Sequence, residues 1–415
     1  MGRGDANAQM MGGHEGRVPE TLVGATLAVR HVRGGGCAVL YRLPATGPLG
    51  YVWSMSNHDS SIEPIARGLY PEIREKMLSK AMLPNSLGEL EAVAARVAMI
   101  QRTLSPNLNM PHLLLAAGDH GVVVEGVTTS PKEITWQQCC NFARGGGACG
   151  LLAKLYGVKL IVCDVGVDHD FEPQDGVVDC KVAYGTKDLL LGPVMTVEQC
   201  RLAMAAGRKM VRDVAEKGCD VIAFGEMGIG NTTSASALTA ALTGWPAEML
   251  TSRGAAQNDA GFSRKLAVVK QAVSLHGRPE DPVETMALYG GFELAFIMGG
   301  MLEAAVRKMV ILLDGFIATA SALAAVQLEP AVVDYMIPCH CSVVAGHRQL
   351  LEHLGLVHPL LDLGMWLGEG TGALMAWPIV RASVALLTDM TSFSECGVTD
   401  STALAERLYG SEVFR

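Results

Sequence analysis

Two glycine-rich segments carry carboxylates in settings that suit chemistry on a small ligand. The first, Gly225–Thr233, reads GEMGIGNTT, follows the apolar run 220–224 and precedes the small residues 234–238. A strand, a glycine-rich turn and a helix in this order present backbone N–H groups to a phosphate. The second, Leu367–Ala373, reads LGEGTGA, and its central acid is Glu369.

The first segment departs from a nucleotide-triphosphate loop at one position. Gly225, Gly230 and Thr232 fit G-x-x-x-x-G-K-[ST], but Asn231 stands where a lysine would reach the β and γ phosphates. Since Glu226 adds negative charge nearby, the segment favours a ligand with one phosphate whose other end meets an acid. The alternative is a tight turn whose glycines serve packing alone.

Glu369 has little side-chain cover, because glycines flank it on both sides. A ligand can therefore approach the carboxylate closely, and apolar surroundings would raise its pKa toward that of a usable base. The alternative is a helix-starting turn with an acid near the positive end of the helix dipole.

Four short apolar runs predict the strands that position these acids. The runs do not alternate with polar residues, and helix-length stretches separate them, as in parallel sheets covered on both faces. Because ligands of such sheets bind outside the carboxyl ends of the strands, the acids beside glycine after each run should share one site. The sequence therefore predicts an α/β fold with a doubly wound, mostly parallel sheet and helices on both faces. The runs are 112–117, 159–163, 220–224 and 309–313, and the acids are Asp119, Asp164, Glu226 and Asp314.

Three other features allow a functional and a plain interpretation. The run 145–150 fits G-x-G-x-x-G, but residues 134–143 before it look helical, which favours glycines that let two elements pack. Asp119-His120 is half of a catalytic dyad or, more commonly, a hydrogen-bonded pair at a strand end. Lys265 has the sequence surroundings of a solvated surface lysine.

Composition narrows the function classes. The 415 residues carry a net charge of −9, which argues against nucleic acid as the main partner. Acidic residues interrupt the long apolar stretches 286–306 and 309–328, so we expect no membrane span. Eleven cysteines include no Cys-x-x-Cys pair, so we expect reduced thiols and neither a disulfide framework nor a metal site.

The chain divides by composition into four parts. Residues 1–54 are rich in arginine and glycine and lack a secretory signal; they fit an organellar transit peptide or a start codon placed too far upstream, with Met55 as an internal start. Residues 55–110 look helical and, with the chain's C-terminal segment, should form a smaller helical domain. Residues 111–350 should form the α/β nucleotide-binding domain, and 351–415 the C-terminal helices and the Glu369 loop.

Between about residues 62 and 393 the chain resembles the nicotinate-nucleotide–dimethylbenzimidazole phosphoribosyltransferases, which activate the lower base of cobalamin. The motifs occur in the order of that family. They are Ser86–Glu91, Ala117–Val122 followed by Glu125-Gly126-Val127, Pro131–Thr135 with Gln138 and Asn141, Gly225–Thr233, Gly290–Glu293, Leu313–Phe316, Ser342 with Gly346-His347, and Leu367–Gly372.

The resemblance implies a transfer of phosphoribose from nicotinate mononucleotide to 5,6-dimethylbenzimidazole or a related base. It implies two small-molecule substrates, no cofactor and a homodimer. The reduced thiols favour a cytoplasmic location, or an organellar one if residues 1–54 are a transit peptide. The resemblance makes Glu369 the catalytic base and Glu226 the second carboxylate. The implied base-binding residues are Ser130, Gln138, Met227 and Leu367; the implied nucleotide-binding residues are Gly228, Asn231, Thr232, Lys265, Asp314, Gly315 and Ser342.

The chain departs from the family before Gly346. The family has Ser-His-x-Ser-x-Glu, whereas here Cys339 replaces a serine and Val344 a carboxylate. Two other functions stay open on sequence alone: an enzyme that uses NAD or another nucleotide, and a non-catalytic nucleotide-binding relic. The sequence does not specify which base is the physiological acceptor.

Overall fold

The computed structural model describes residues 62–253 and 258–400, and within them a six-stranded sheet lies at the centre. All its strand pairs are parallel, in the order β3-β2-β1-β4-β5-β6. This is the order of doubly wound Rossmann-type sheets. The strands are β1 His112–Gly118, β2 Lys159–Gly166, β3 Val178–Asp179, β4 Val221–Met227, β5 Val310–Leu313 and β6 Met336–Pro338.

Helices fill most of the connections between the strands. The α-helices of the described residues are α1 Tyr70–Leu78, α2 Glu89–Gln101, α3 Ile134–Ala143, α4 Gly147–Tyr156, α5 Val197–Ala215, α6 Asn231–Thr243, α7 Ala247–Leu250, α8 Asp259–His276, α9 Pro282–Tyr289, α10 Phe292–Val306, α11 Phe316–Leu328, α12 His347–His353, α13 Thr371–Thr388 and α14 Phe393–Cys396. Short 3₁₀ turns cover Arg67–Leu69, Gly121–Glu125, Pro173–Asp175 and Pro330–Tyr335.

The four predicted strands are confirmed, and three of them extend beyond their predicted C-terminal ends; β1 does so by one residue, to Gly118. β2 runs on to Gly166, and β4 includes Gly225, Glu226 and Met227. The carboxylate of Glu226 therefore lies on the strand rather than in the turn, which begins at Gly228. The sequence does not predict the short strands β3 and β6, because segments of two or three residues carry too little apolar pattern to detect.

Neighbouring residues of β4 show that helices cover both faces of the sheet. Successive side chains of a strand point to opposite faces. The ring of Phe224 lies against Gly300 of α10, where a Cβ atom would come within 2.5 Å of it. A Cβ on Gly225 would instead lie 2.9 Å from the backbone of Glu369, just before α13. Helices α10 and α13 therefore lie on opposite faces.

Helix α10 is the most deeply buried helix of the fold, with every residue from Phe292 to Ala305 buried. A helix that is apolar on all sides belongs inside a protein. Glycines bring α5 against it: a Cβ on Gly207 would lie 2.0 Å from the carbonyl oxygen of Phe296, and one on Gly299 would lie 2.1 Å from that of Met204. This close packing explains why the apolar stretch 286–306 lies in the core of the protein.

The N-terminal helices share a second, smaller core with the end of α13. Ile73 and Met77 of α1, Ala94 of α2 and Leu387 of α13 are among its members. All the described residues nevertheless belong to one compact unit. The separate helical domain and the boundaries at 55, 110 and 350 stay predictions, and residues 1–54 lie outside the described residues.

One described helix, α13, is long and apolar enough to cross a membrane. More than half of its apolar window is buried within the fold, where it packs on α2 and α4. A core helix satisfies the same criterion, so α13 is weak evidence for a span.

Candidate active site

The site lies where the strand order reverses, at the carboxyl ends of β1 and β4. A Cβ on Gly228, just beyond β4, would lie 2.2 Å from the carbonyl oxygen of Gly118 at the end of β1. Only glycine permits this approach. Ile229, which follows Gly228, donates its N–H to Thr135 Oγ1 of α3 at 3.2 Å. The glycine-rich turn is thus held between β1 and α3.

Glu369 has a strained backbone conformation near the carboxyl ends of these strands. Its φ is +61°, between Gly368 at +78° and Gly370 at +74°. A non-glycine residue in the left-handed region costs on the order of 1–2 kcal/mol and is found most often at functional sites. Three successive left-handed residues turn the chain here, and the Glu369 side chain is buried near Cys149 and Asp314.

The pKa of Glu369 is raised to about 7, chiefly because the carboxyl is buried and also because Asp314 is nearby. A hydrogen bond from the Cys149 thiol partly offsets this rise. A carboxylate with such a pKa can accept a proton near neutral pH. The expectation of a raised pKa is confirmed.

Glu226 lies opposite, fully enclosed at the end of β4. It accepts hydrogen bonds from Asn231 Nδ2 and, at 3.4 Å, from the backbone N–H of Glu369. Gly368 leaves room for it, because a Cβ there would lie 2.2 Å from Glu226 Oε1. Burial, followed by the charge of Asp314, raises the pKa of Glu226 well above its ordinary value. The Glu369 backbone is therefore bonded to the Glu226 carboxyl, and the pKa values of both carboxyl groups are raised.

Asp314 supports the Glu369 loop. Its Oδ2 accepts the N–H of Gly370 at 3.1 Å, and its Oδ1 accepts the N–H of Ala373 at 2.9 Å. These two donors begin α13, whose first-turn N–H groups have no partner within the helix. The carboxylate predicted to bind the nucleotide thus fixes the segment that carries Glu369.

Lys265 of α8 is buried, with 3% of its surface exposed, so it is not the solvated lysine that its sequence surroundings indicate. Burial lowers its pKa to about 8. Among the described residues it has no ion-pair partner. A desolvated ammonium group without a local counter-ion suits a ligand anion.

The remaining nucleotide-binding candidates lie at the ends of β5 and β6. Gly315 begins α11, and Ser342 lies in the loop after β6. Ser342 donates its N–H to His347 Nδ1 at 2.8 Å, and His347 Nε2 lies 3.0 Å from Thr319 Oγ1. Thr319 in turn donates to the Gly315 carbonyl at 2.8 Å. Burial, and then His340, lowers the pKa of His347 to about 3.

The base-binding candidates lie on β4, before the Glu369 loop, and on or just before α3. Met227 follows Glu226 on β4, and Leu367 precedes Gly368, with 55% of its surface exposed. Gln138 lies on α3, where its Oε1 accepts from Asn141 Nδ2 at 2.9 Å. Ser130 is half-buried in the segment before α3. Thr232, on the first turn of α6, is half-buried as well.

The expectation that Asp119 and His120 form a hydrogen-bonded pair is wrong. His120 Nε2 lies 2.6 Å from Glu293 Oε1, and its Nδ1 lies 2.9 Å from Ser234 Oγ. Asp119 accepts instead from the N–H of Asp168 at 2.8 Å. The reason is the alternation of side-chain direction at a strand end, which sends adjacent residues to different neighbours. Its partner Glu293 ends the motif Gly290–Glu293, to which the sequence assigns no role.

The glycines of 145–150 let two helices pack closely, as the structural interpretation predicts. The run joins α3 to α4 rather than a strand to a helix. A Cβ on Gly150 would lie 2.4 Å from the backbone of Gly145, and one on Gly147 would lie 2.5 Å from the ring of Phe142. Within residues 62–253 and 258–400, no three metal-ligating side chains cluster.

The two residues that depart from the family occupy different settings. Cys339 is fully buried, and its thiol donates to the Ile337 carbonyl at 3.4 Å. Val344 is half-buried and donates its N–H to Ser342 Oγ at 3.3 Å. Cys339 is thus a core residue, whereas Val344 lies next to the nucleotide-binding candidate Ser342. All ten cysteines of the described residues are free thiols.

Comparison with known proteins decides the family. Residues 62–398 match the family model described as Phosphoribosyltransferase. A nicotinate-nucleotide–dimethylbenzimidazole phosphoribosyltransferase of Dechloromonas aromatica is 45% identical over 336 residues, covering 80% of this chain and 96% of the relative. The chain belongs to this phosphoribosyltransferase family.

Further relatives agree with this assignment. A protein of the same name from Chloroflexus aurantiacus is 44% identical over 328 residues, covering 79% of this chain and 93% of the relative. The crystal structure of CobT from Thermus thermophilus is similar with a TM-score of 0.77 and 41% identity, covering 80% of this chain and 99% of that one. The resemblance and the doubly wound fold are confirmed, and the comparisons support a transferase over an NAD-dependent enzyme or a relic.

Proposed function

We propose that this transferase moves the phosphoribosyl group of nicotinate mononucleotide to 5,6-dimethylbenzimidazole or a related base. The products are nicotinate and an α-linked ribotide, α-ribazole 5′-phosphate for dimethylbenzimidazole, which serves assembly of the cobalamin nucleotide loop. Family membership supports the substrates. The observation that carries the reaction is Glu369, a buried carboxyl held in a left-handed backbone, with a pKa of about 7.

The chemistry requires little of the protein beyond positioning and one proton acceptor. The pyridinium of nicotinate mononucleotide is already a good leaving group, so its bond to the anomeric carbon breaks to give neutral-ring nicotinate. A benzimidazole nitrogen attacks the opposite face of that carbon, which inverts the configuration. As the new bond forms, the N–H on the other ring nitrogen becomes acidic, and Glu369 accepts its proton.

The raised pKa of Glu226 changes the role that its motif indicates. Burial and the charge of Asp314 disfavour the ionised form of Glu226, so this carboxyl is less suited to supply negative charge than its motif indicates. We therefore assign Glu226 to hold the incoming base.

The nucleotide's phosphate faces the other half of the site in this proposal. Lys265 supplies the positive charge, and the turn that begins at Gly228 supplies backbone N–H groups before α6. Asn231 donates a hydrogen bond to Glu226 and so connects the phosphate half of the site to the base half. Gly315 and Ser342 border the ribose and the phosphate from the ends of β5 and β6.

The assembly and the compartment belong to the same proposal. We infer a homodimer in the cytoplasm, as the resemblance implies; the reported relatives come from bacteria. Light scattering at assay concentration tests the dimer, and a monomer with full activity would contradict it. Cell fractionation tests the compartment.

The proposal is tested by mixing the purified protein with nicotinate mononucleotide and single bases. The panel contains dimethylbenzimidazole, benzimidazole, adenine and a phenol, and mass spectrometry identifies the ribotide. We expect product with at least one benzimidazole and release of one nicotinate per ribotide. Formation of no ribotide with any base would overturn the proposal, and NAD(H) titration would then test the nucleotide-dependent alternative.

A further inference from the structure

We propose that His347 and Thr319 are positioning residues for the mononucleotide. They form a buried hydrogen-bonded chain that holds Gly315, after β5, and Ser342, after β6, at a fixed separation. This inference rests on the proposed function, because it takes these two positions as the nucleotide's contacts.

The direction of each hydrogen bond in the chain follows from its ends. The backbone N–H of Ser342 can only donate, so His347 Nδ1 is the acceptor of the 2.8 Å bond. The proton of the neutral imidazole is then on Nε2, which donates to Thr319 Oγ1 at 3.0 Å. The threonine hydroxyl donates its own proton to the Gly315 carbonyl oxygen at 2.8 Å. Each donor meets one acceptor, and none is left unpaired.

The chain is sealed from solvent. His347 and Thr319 are each 0% exposed. Neither side chain can therefore exchange a lost partner for water. The lowered pKa of His347 keeps the imidazole neutral through the neutral range, so one arrangement of protons persists there.

Ser342 extends the chain toward the catalytic carboxyl. Its Oγ donates to the carbonyl oxygen of Met365 at 3.1 Å, and the N–H of Val343 reaches the same oxygen at 3.1 Å. Met365 lies four residues before Glu369. The chain thus joins the ends of β5 and β6 to the segment that leads into the Glu369 loop.

A positioning role and a merely structural role differ in what they affect. A structural role predicts a loss of stability with unchanged substrate affinity. A positioning role predicts weaker binding of nicotinate mononucleotide, whereas affinity for the base, which binds beside Glu226, changes little.

The variant Thr319→Val tests this, because it keeps the shape and removes the hydroxyl. Thr239→Val is a matched control: Thr239 is also 0% exposed and also donates to the carbonyl four residues earlier, Ala235, at 2.8 Å, but it has no histidine partner. Calorimetric titration with nicotinate mononucleotide measures Kd, and turnover gives KM for each substrate. Thermal denaturation reports stability.

We expect Thr319→Val to raise Kd for nicotinate mononucleotide about tenfold, since a buried donor loses its acceptor. The KM of Thr319→Val for the base should stay within about twofold of the wild-type value. The variant Thr319→Ser keeps the hydroxyl, so its Kd should stay within about threefold of the wild-type value. Thr239→Val should lower stability without changing Kd. If Thr319→Val fails to fold, His347→Asn serves instead: its amide oxygen keeps an acceptor for Ser342 and loses the bond to Thr319, so Kd should rise equally.

Unchanged Kd in a folded Thr319→Val or His347→Asn protein would overturn the proposal, as would an equal rise in Thr239→Val. The double variant should bind no more weakly than either single variant, because both break one chain. Wild-type protein that binds nicotinate mononucleotide but forms no ribotide would contradict the proposed function alone. Wild-type protein that does not bind the nucleotide would overturn both.

Discussion

Replacing Glu369 by glutamine should make the protein less active and more stable at the same time. The carboxyl is 9% exposed, and its pKa of about 7 lies well above its ordinary value of 4.5. Glutamine keeps the shape of the side chain and can still accept from the Cys149 thiol, but it never ionises. The variant therefore loses the proton acceptor and also the cost of burying a charge.

The size of the stability gain follows from the pKa difference. An acid whose pKa is higher in the folded state destabilises the fold wherever the unfolded chain would be ionised. This penalty is absent below about pH 4.5 and is fully present above about pH 7. A shift from 4.5 to about 7 corresponds to about 3 kcal/mol at most. Because the carboxyl keeps some contact with solvent, we expect on the order of 2 kcal/mol at pH 8.

Denaturant titrations of the wild type and Glu369→Gln at pH 5 and pH 8 measure this gain. The difference in unfolding free energy should be about 0.5 kcal/mol at pH 5 and about 2 kcal/mol at pH 8, in favour of the variant at both. Ribotide formation should fall by about two orders of magnitude or more. Glu216→Gln is the control, because Glu216 is exposed at the C-terminal end of α5, just before β4 begins. This variant should change neither the unfolding free energy nor the turnover.

Two results would refute this reasoning. A stability difference that does not vary between pH 5 and pH 8 would show that Glu369 is not a buried ionising group. Turnover near that of the wild type would remove Glu369 as the proton acceptor, even if the stability gain appeared.

Further predictions concern the groups around this carboxyl. The acid limb of the kcat/KM profile should have an apparent pKa near 7, because Glu369 must be ionised to act; pH–rate measurements check this, and an acid limb near 4.5 would contradict it. Asp314→Asn should shift that limb to lower pH and lower stability by about 2 kcal/mol, since its amide cannot accept both N–H groups of α13. Gly228→Ala should abolish turnover and lower Tm, because its Cβ would meet the Gly118 carbonyl at 2.2 Å. Lys265→Met should raise Kd for nicotinate mononucleotide at least tenfold while raising Tm, since it removes a buried cation.

Patterns within short windows predict much of this fold. The four main strands and α3 are correctly located, because buried parallel strands and helices leave apolar runs of characteristic length. The same windows place Glu226 and Glu369 beside glycine at strand and helix ends. They miss β3 and β6, which are too short to leave a pattern, and misplace the start of the turn after β4, because Glu226 interrupts an otherwise apolar strand.

Partners distant in sequence are beyond such patterns. The bond between the Glu369 backbone and Glu226 spans 143 residues, and that between His120 and Glu293 spans 173. A sequence window shows an acid or an imidazole but not what it faces. This explains why the sequence pairs His120 with its neighbour Asp119, whereas the structure does not.

The amino-acid sequence alone shows the residue types and their local setting: carboxylates beside glycine, at the ends of apolar runs, in the order of one enzyme family. The tertiary structure sets their burial, their pKa values and their hydrogen-bond partners. It buried Lys265, raised the pKa of Glu226 and Glu369, and directed Asp314 to the N–H groups of α13. The physical reason is that desolvation and hydrogen bonding depend on which distant segments close around a group, and that is set only when the sheet and its two helical layers pack together.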